Sequence, residues 1–123
     1  VFLLTKSASY FYDADAVRVK RRVIDSMARN GGANLRTVWT IPTQPYSGAH
    51  FATFPEELAR RCILSGSRLD DTVLDPFCGS GTTGSVAVGH GRNFVGIELN
   101  AEYIKLARKR IGGTAPLLAQ EAT

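Results

Sequence analysis

The chain has 123 residues and a net charge of +4, with 44% hydrophobic and 21% charged residues. This length suits one compact domain or a piece of one, and the composition excludes wholesale disorder. Because no apolar run approaches the roughly 18 residues that cross a bilayer, we expect no membrane association. Cys62 and Cys78 are too few for a disulfide framework, which favours a soluble protein of the cytoplasm.

The positive charge is concentrated near the start of the chain. Residues 1–36 contain seven basic and three acidic residues, whereas residues 37–123 are neutral overall. The densest basic run consists of Arg18, Lys20, Arg21 and Arg22. Such a run usually forms a solvated surface, and contact with nucleic-acid phosphates is the sharper alternative.

The first elements in chain order are short. The patterns predict strands at 1–5 and 9–12, partial helix over 13–27, and a further strand at 37–41. The glycine-rich stretch 30–34 is typical of a linker.

The second half of the chain has stronger signals. Residues 41–55 are rich in turn-forming residues, which predicts a loop of defined shape and no regular structure. The elements predicted after it are a helix from Pro55 to Gly66, a strand at 72–75, a glycine turn, a helix at 81–89, a strand at 94–98 and a helix from Asn100 to Arg110. The tail from Thr114 is expected to be loose. The strand, helix, strand, helix order predicts an α/β fold with a parallel sheet.

The glycine turn carries the clearest functional signal. Gly79, Gly81 and Gly84 have the spacing of a nucleotide-binding turn, and they follow a strand and open a helix. Glu98 follows Gly79 by 19 residues, close to the roughly 20 residues at which an acid reaches a ribose diol. These features fit both nicotinamide dinucleotides and S-adenosylmethionine, since each contains an adenosine ribose.

Asp75, directly before the turn, separates these two cofactors. A carboxylate there would repel a pyrophosphate, whereas it suits the ammonium and sulfonium groups of S-adenosylmethionine. Asp75 could instead only cap the turn, as Asp often does. The whole stretch DPFCGSGT favours S-adenosylmethionine.

Four stretches resemble the bacterial and phage DNA amino-methyltransferases that methylate adenine N6 or cytosine N4. DPFCGSGTT (75–83) resembles their cofactor loop, and HFATFPEELARRCI (50–63) resembles the segment and helix before it. VGIELNAEYIKLARKRI (95–111) is similar to their ribose-binding strand and next helix, and FLLTKSASYFYDADAVR (2–18) to a strand pair. This order is that of the subgroup whose catalytic motif precedes the cofactor loop, so the chain resembles the C-terminal part of such an enzyme.

The resemblance implies a partial Rossmann-like methyltransferase sheet with flanking helices and an S-adenosylmethionine pocket. The cofactor-binding residues that it implies are His50, Phe51, Ala52, Thr53, Asp75, Phe77, Gly79, Ser80, Gly81, Thr82, Glu98 and Leu99. The first four would close over the methionine end, Asp75 would face the methionine amino group, and Glu98 would hold the ribose. For His50, a backbone-bonded loop histidine is the alternative. Cys78 is expected to fill the loop without acting as a nucleophile, and no metal site is expected.

The resemblance also implies a catalytic motif of Asp, Asn or Ser followed by Pro-Pro and an aromatic residue. No stretch fits it, since TQPY (43–46) lacks the first proline and the acid or amide. We therefore expect no catalytic residue and no activity in this chain alone, and a missing N-terminal segment or partner chain that completes the sheet. The partners implied are double-stranded DNA and, less directly, a second copy of the chain.

The expected organisation has three parts. Residues 1–36 form a strand pair and basic segment left from a DNA-recognition region, 37–113 form the cofactor-binding unit, and 114–123 form the tail. The alternatives are an inactive module that binds cofactor or DNA, and a nicotinamide-dependent enzyme. The choice between adenine and cytosine stays open, because the motif and pocket that decide it are not recognised here.

Overall fold

The computed structural model describes residues 1–19, 32–42 and 54–114. A 3-10 helix at Asp15–Val17 precedes five regular elements. These are α1 (Glu56–Gly66), β1 (Thr72–Asp75), α2 (Thr82–Gly89), β2 (Asn93–Gly96) and α3 (Ala101–Gly112). Within the described ranges, no helix is both long and apolar enough to cross a membrane.

The two strands form a parallel pair, and α2 is the crossover between them. Thr72 lies opposite Asn93, and Asp75 lies opposite Gly96. Backbone bonds continue past the strands, because the Ile97 amide donates to the Asp75 carbonyl at 2.9 Å. The carboxyl ends of both strands therefore meet at one edge, and the predicted α/β fold with parallel strands is confirmed.

The core lies where α1 and α2 pack on the sheet. Its buried members are Ala59, Ile63, Val86 and Ala87, and Val73 and Phe94 pack against them. Helix α2 contacts both α1 and α3. Its central Gly84 permits this approach, since an added Cβ would lie 2.5 Å from an Ile111 methyl carbon and 2.6 Å from the Phe94 ring. The small side chains of α2 thus bring three elements together.

Capping residues define the helix starts. Asn100 accepts a hydrogen bond from the Glu102 amide at 2.9 Å, which confirms the predicted start of α3. Pro55 lies just before α1 and not at its first position, and its carbonyl accepts from the Leu58 amide at 3.0 Å. Glu56 in the first turn stabilises the positive helix end.

The predicted strands near the start of the chain are wrong. Residues 1–5 and 9–12 form no strand, and the side chains of residues 1–4 are exposed. The Thr5 hydroxyl donates to the Ser7 carbonyl at 2.8 Å, and the Ser7 hydroxyl donates to the Ser9 carbonyl at 2.5 Å. These local bonds bend the backbone between the two stretches and compete with ladder pairing.

The strand predicted at 37–41 is also wrong. There the Trp39 indole donates to the Arg36 carbonyl at 2.6 Å. The Arg61 guanidinium lies 5.7 Å from the centre of the Trp39 ring. A cation–π contact with α1 thus takes the place of strand pairing. The Arg61 side chain is accordingly only 14% exposed.

Three other boundaries differ from the prediction. Strand β2 begins one residue earlier than expected and ends at Gly96. In the described part of 13–27, only Asp15–Val17 is helical, with Asp13 accepting from the Asp15 and Ala16 amides at 3.0 Å. Thr114 is held by hydroxyl contacts of 2.9 Å to Ser85 and 3.0 Å to the Arg110 carbonyl, so the loose tail does not begin there. Residues 30 and 31 of the predicted linker, the TQPY stretch and the rest of the tail lie outside the described residues.

Candidate functional site

Asp75 ends β1 and holds both sides of the turn that follows. One carboxylate oxygen accepts from the Phe77 amide at 3.0 Å, and the other accepts from the Thr83 hydroxyl at 2.6 Å. The capping role considered from the sequence is therefore observed. Each carboxylate oxygen has a second lone-pair site, so Asp75 keeps the capacity to accept from a cationic ligand.

The turn itself depends on two glycines in the left-handed region. Gly79 has φ +50°, and Gly81 has φ +82° and precedes the first residue of α2. A Cβ on Gly81 would lie 2.9 Å from the Ala107 backbone, so α3 packs directly on the turn. A Cβ on Gly79 would meet no atom within 4 Å, and only its backbone conformation favours glycine there.

Glu98 follows β2 and reaches across to the turn. One of its oxygens accepts from the Gly79 amide at 3.0 Å, and the other accepts from the Asn100 amide at 2.8 Å. The carboxylate thus links the glycine turn to the start of α3. The two acids named from the sequence meet at the same edge of the sheet, one at the end of β1 and one just after β2.

Two large apolar side chains are exposed at this edge. Phe77 after β1 is 88% exposed, and Leu99 after β2 is 98% exposed. Exposed apolar groups beside polar ones are typical of a ligand-binding surface. Ser80 is half-buried in the turn, and Thr82 is almost fully buried, with its hydroxyl accepting from Arg110 at 2.9 Å.

A cleft of about 610 Å³ lies between the end of β2 and α3, with Glu98, Phe94 and Ile104 among its lining residues. This volume is within the range of small-ligand sites. Cys78 also lines it, and burial, followed by the nearby carboxylates of Asp75 and Glu98, raises the pKa of the thiol. The neutral thiol suits the predicted filling role and not a nucleophile.

Several predicted site residues cannot be placed. His50, Phe51, Ala52, Thr53, Lys20, Arg21 and Arg22 lie outside the described residues. Arg18 is described, and its guanidinium pairs with Asp15 at 2.7 Å on the surface. Among the described residues, no group of three or more His, Cys, Asp or Glu side chains could hold a metal.

Sequence reasoning missed Thr83 and Arg110. Thr83 is visible as the second threonine of GSGTTG, but the prediction assigned it no partner. Arg110 lies 28 residues from Thr82, and no local pattern links the two positions.

A glycine turn between two parallel strands, with an acid at the carboxyl end of each strand, defines the class of α/β units that bind nucleoside-containing cofactors. The profile of the N6/N4 methyltransferase family, described as DNA methylase, matches residues 1–109. The chain therefore belongs to this family of DNA methylases.

Individual relatives agree with this assignment. The chain is 52% identical over 113 residues to the Type II methyltransferase M.Cfr9I of Citrobacter freundii, covering 92% of this chain and 36% of that protein. It is 50% identical over 111 residues to M.SmaI of Serratia marcescens, covering 90% and 37%. It thus spans little more than a third of the length of these relatives.

One solved structure supports the same family by its fold. The crystal structure of M1.HpyAVI in complex with S-adenosylmethionine superposes with a TM-score of 0.60 at 30% identity. The match covers 84% of this chain and 44% of that one. The predicted methyltransferase type of α/β fold is confirmed.

Proposed function

We propose that this chain is the S-adenosylmethionine-binding part of an enzyme that methylates an exocyclic amino group of adenine or cytosine in DNA. The observation that carries the proposal is the pair Asp75 and Glu98, which flank the glycine turn and are both bonded to it. Membership of the DNA methylase family and likeness to a complex with S-adenosylmethionine support it.

The donor set fits this cofactor. Asp75 supplies negative charge for the methionine ammonium, and Glu98 supplies acceptors for the ribose hydroxyls. Leu99 and Phe77 offer apolar contact to the adenosine part, and the turn from Gly79 to Gly81 offers close backbone. When bound, S-adenosylmethionine supplies an electrophilic methyl group. Residues 50–53 are proposed to close over the methionine end.

One feature of the complete reaction belongs to another part of the protein in this proposal. The Pro-Pro-aromatic motif that would bind the flipped base lies outside residues 1–123, in an upstream segment or a partner chain, so this chain alone is inactive.

The relatives are named Type II methyltransferases, which supports a role in restriction–modification. Duplex DNA is the proposed substrate, the basic run at 18–22 a proposed contact, and the cytoplasm the proposed location.

Calorimetric titration with S-adenosylmethionine and with NADH tests the cofactor. We expect binding of the first and none of the second, because the Asp75 carboxylate would repel a pyrophosphate bound beside the turn. Binding of NADH alone would overturn the proposal in favour of a nicotinamide enzyme.

A methyl-transfer assay tests whether this chain alone lacks the groups that methylate DNA. Duplex DNA is incubated with the purified chain and tritiated S-adenosylmethionine, and we expect no label in the DNA. Label in the DNA would show that residues 1–123 contain the catalytic groups. The protein encoded by the complete reading frame is the positive control.

A further inference from the structure

We propose that Arg110 is a positioning residue that sets the methionine half of the donor site by joining the starts of α1 and α2. The proposal rests on the function proposed above. From the last turn of α3, Arg110 donates one hydrogen bond to Glu56 at 2.6 Å and another to Thr82 at 2.9 Å. Its single side chain thus contacts the first residues of two other helices.

The charges explain why this contact is specific. The start of a helix carries partial positive charge, which would repel a guanidinium placed beside α1 and α2. Glu56 offsets this repulsion by pairing with Arg110, whose side chain is only 16% exposed. A planar guanidinium can donate in two directions at once, whereas a lysine ammonium is a compact point charge. The position therefore favours arginine.

Thr82 transmits the effect of Arg110 to Asp75. It is 4% exposed and is the first residue of α2, directly after Gly81. The next residue, Thr83, donates to the Asp75 carboxylate at 2.6 Å. A shift of Thr82 would therefore move the bond that orients Asp75, the acid proposed to face the methionine ammonium.

The acid proposed to hold the ribose is oriented by different contacts. Glu98, by contrast, is held through Gly79 and Asn100. Arg110 should accordingly affect binding of the methionine half and leave the ribose contact unchanged.

Variants of Arg110 test this division between the two halves of the donor. Arg110→Met keeps the length of the side chain and removes the hydrogen bonds to Glu56 and Thr82. We expect about tenfold weaker binding of S-adenosylmethionine, because Asp75 would no longer be oriented for its charge-assisted bond to the ammonium group. Binding of adenosine, measured by NMR titration, should stay within about twofold of wild type, because Glu98 is untouched. Arg110→Lys should give an intermediate loss for S-adenosylmethionine.

The matched control is Lys105→Met on the same helix, since Lys105 pairs with Glu102 on an exposed surface, at 72% and 74% exposure. The affinities of this variant for S-adenosylmethionine and for adenosine should be unchanged. Wild-type affinity of Arg110→Met for S-adenosylmethionine, or an equal loss for adenosine, would overturn the proposal. If Arg110→Met does not fold, Thr82→Val is the second variant, because it removes only the oxygen that accepts from Arg110. It should weaken binding of S-adenosylmethionine and not of adenosine. Wild-type affinity for S-adenosylmethionine, or an equal loss for adenosine, would again overturn the proposal.

Hydrogen exchange without ligand separates this proposal from the cofactor assignment. The amides of Leu58 and Ser85 make the first backbone bonds of α1 and α2, at 3.0 and 2.9 Å. Both should exchange faster in Arg110→Met than in wild type, while the Glu102 amide at the start of α3 should not. Unchanged exchange of Leu58 and Ser85 would overturn the link. A wild-type chain that binds no S-adenosylmethionine would overturn the proposed function instead.

Discussion

Glu98 and Gly79 are joined by a hydrogen bond of 3.0 Å across 19 positions of the sequence, from the amide to the carboxylate. The second carboxylate oxygen accepts from the Asn100 amide at 2.8 Å. The same acid that is proposed to hold a ribose therefore already orders the glycine turn and the start of α3. Its two roles, binding and local stability, have to be separated in any mutational test.

Glu98→Gln and Glu98→Ala should separate them. The glutamine keeps one acceptor but turns a donor toward a backbone N–H, while alanine loses both acceptors. We expect both variants to weaken S-adenosylmethionine binding by about 1–2 kcal/mol, and Glu98→Ala also to lower the unfolding free energy by about 1–2 kcal/mol. Calorimetry and thermal unfolding measure these quantities, with the exposed Glu102→Gln as control. Wild-type affinity in both variants would refute the ribose assignment.

Asp75→Ala should weaken S-adenosylmethionine by about 1–2 kcal/mol, because a cationic ligand loses its paired charge. Thr83→Val removes only the bond to Asp75 and should cost about 1 kcal/mol of stability with a smaller loss of affinity. Asp70→Asn is the charge-matched control, since Asp70 is exposed and precedes β1 at its other end. An equal loss of affinity in Asp70→Asn and Asp75→Ala, measured calorimetrically, would indicate a long-range field and not a local contact.

Local signals were sufficient where one residue determines an element boundary. Asp75 ends β1 and Asn100 caps α3, as the sequence predicted, and α2 begins at Thr82, one residue after the predicted start. In each case the physical reason is confined to a few neighbouring residues: a turn, a left-handed glycine or a side-chain cap. The strand order and the 19 residues between Gly79 and Glu98 also placed the two acids at one edge of the sheet.

Predictions that depended on distant partners failed. Residues 1–5 and 37–41 have strand-like composition, but a strand requires a partner that composition does not reveal. The bonds from Glu98 to Gly79 and from Arg110 to Glu56 likewise join positions far apart in sequence. Such contacts follow from how α3 packs against the turn, which no single stretch encodes.

The tight packing around Gly84 gives a stability prediction. An added methyl group would lie 2.5 Å from an Ile111 carbon and 2.6 Å from the Phe94 ring. Gly84→Ala should therefore destabilise the protein by about 1–3 kcal/mol, because α2 must move away from β2 and α3. The control is Gly66→Ala at the end of α1, where a Cβ meets nothing within 4 Å. This control should be neutral or stabilising by up to about 1 kcal/mol in urea unfolding. Equal stability of the two variants would contradict the packing described for α2.

Glu57 gives a prediction for acid pH. Its carboxylate accepts from Arg60 at 2.6 and 2.9 Å and from Arg61 at 2.7 Å, and these bonds, with Arg60 first, lower its pKa to about 2. Because the pKa is lower in the folded state, this stabilisation is full above the unfolded value of 4.5 and is lost as the pH falls toward about 2. Glu57→Gln should cost about 1 kcal/mol at pH 7, an amount reduced for partial exposure, and almost nothing near about pH 2. Urea unfolding across this range measures the difference, with Glu102→Gln as the exposed control. A difference that does not change with pH would show that the ion pairs contribute nothing to stability.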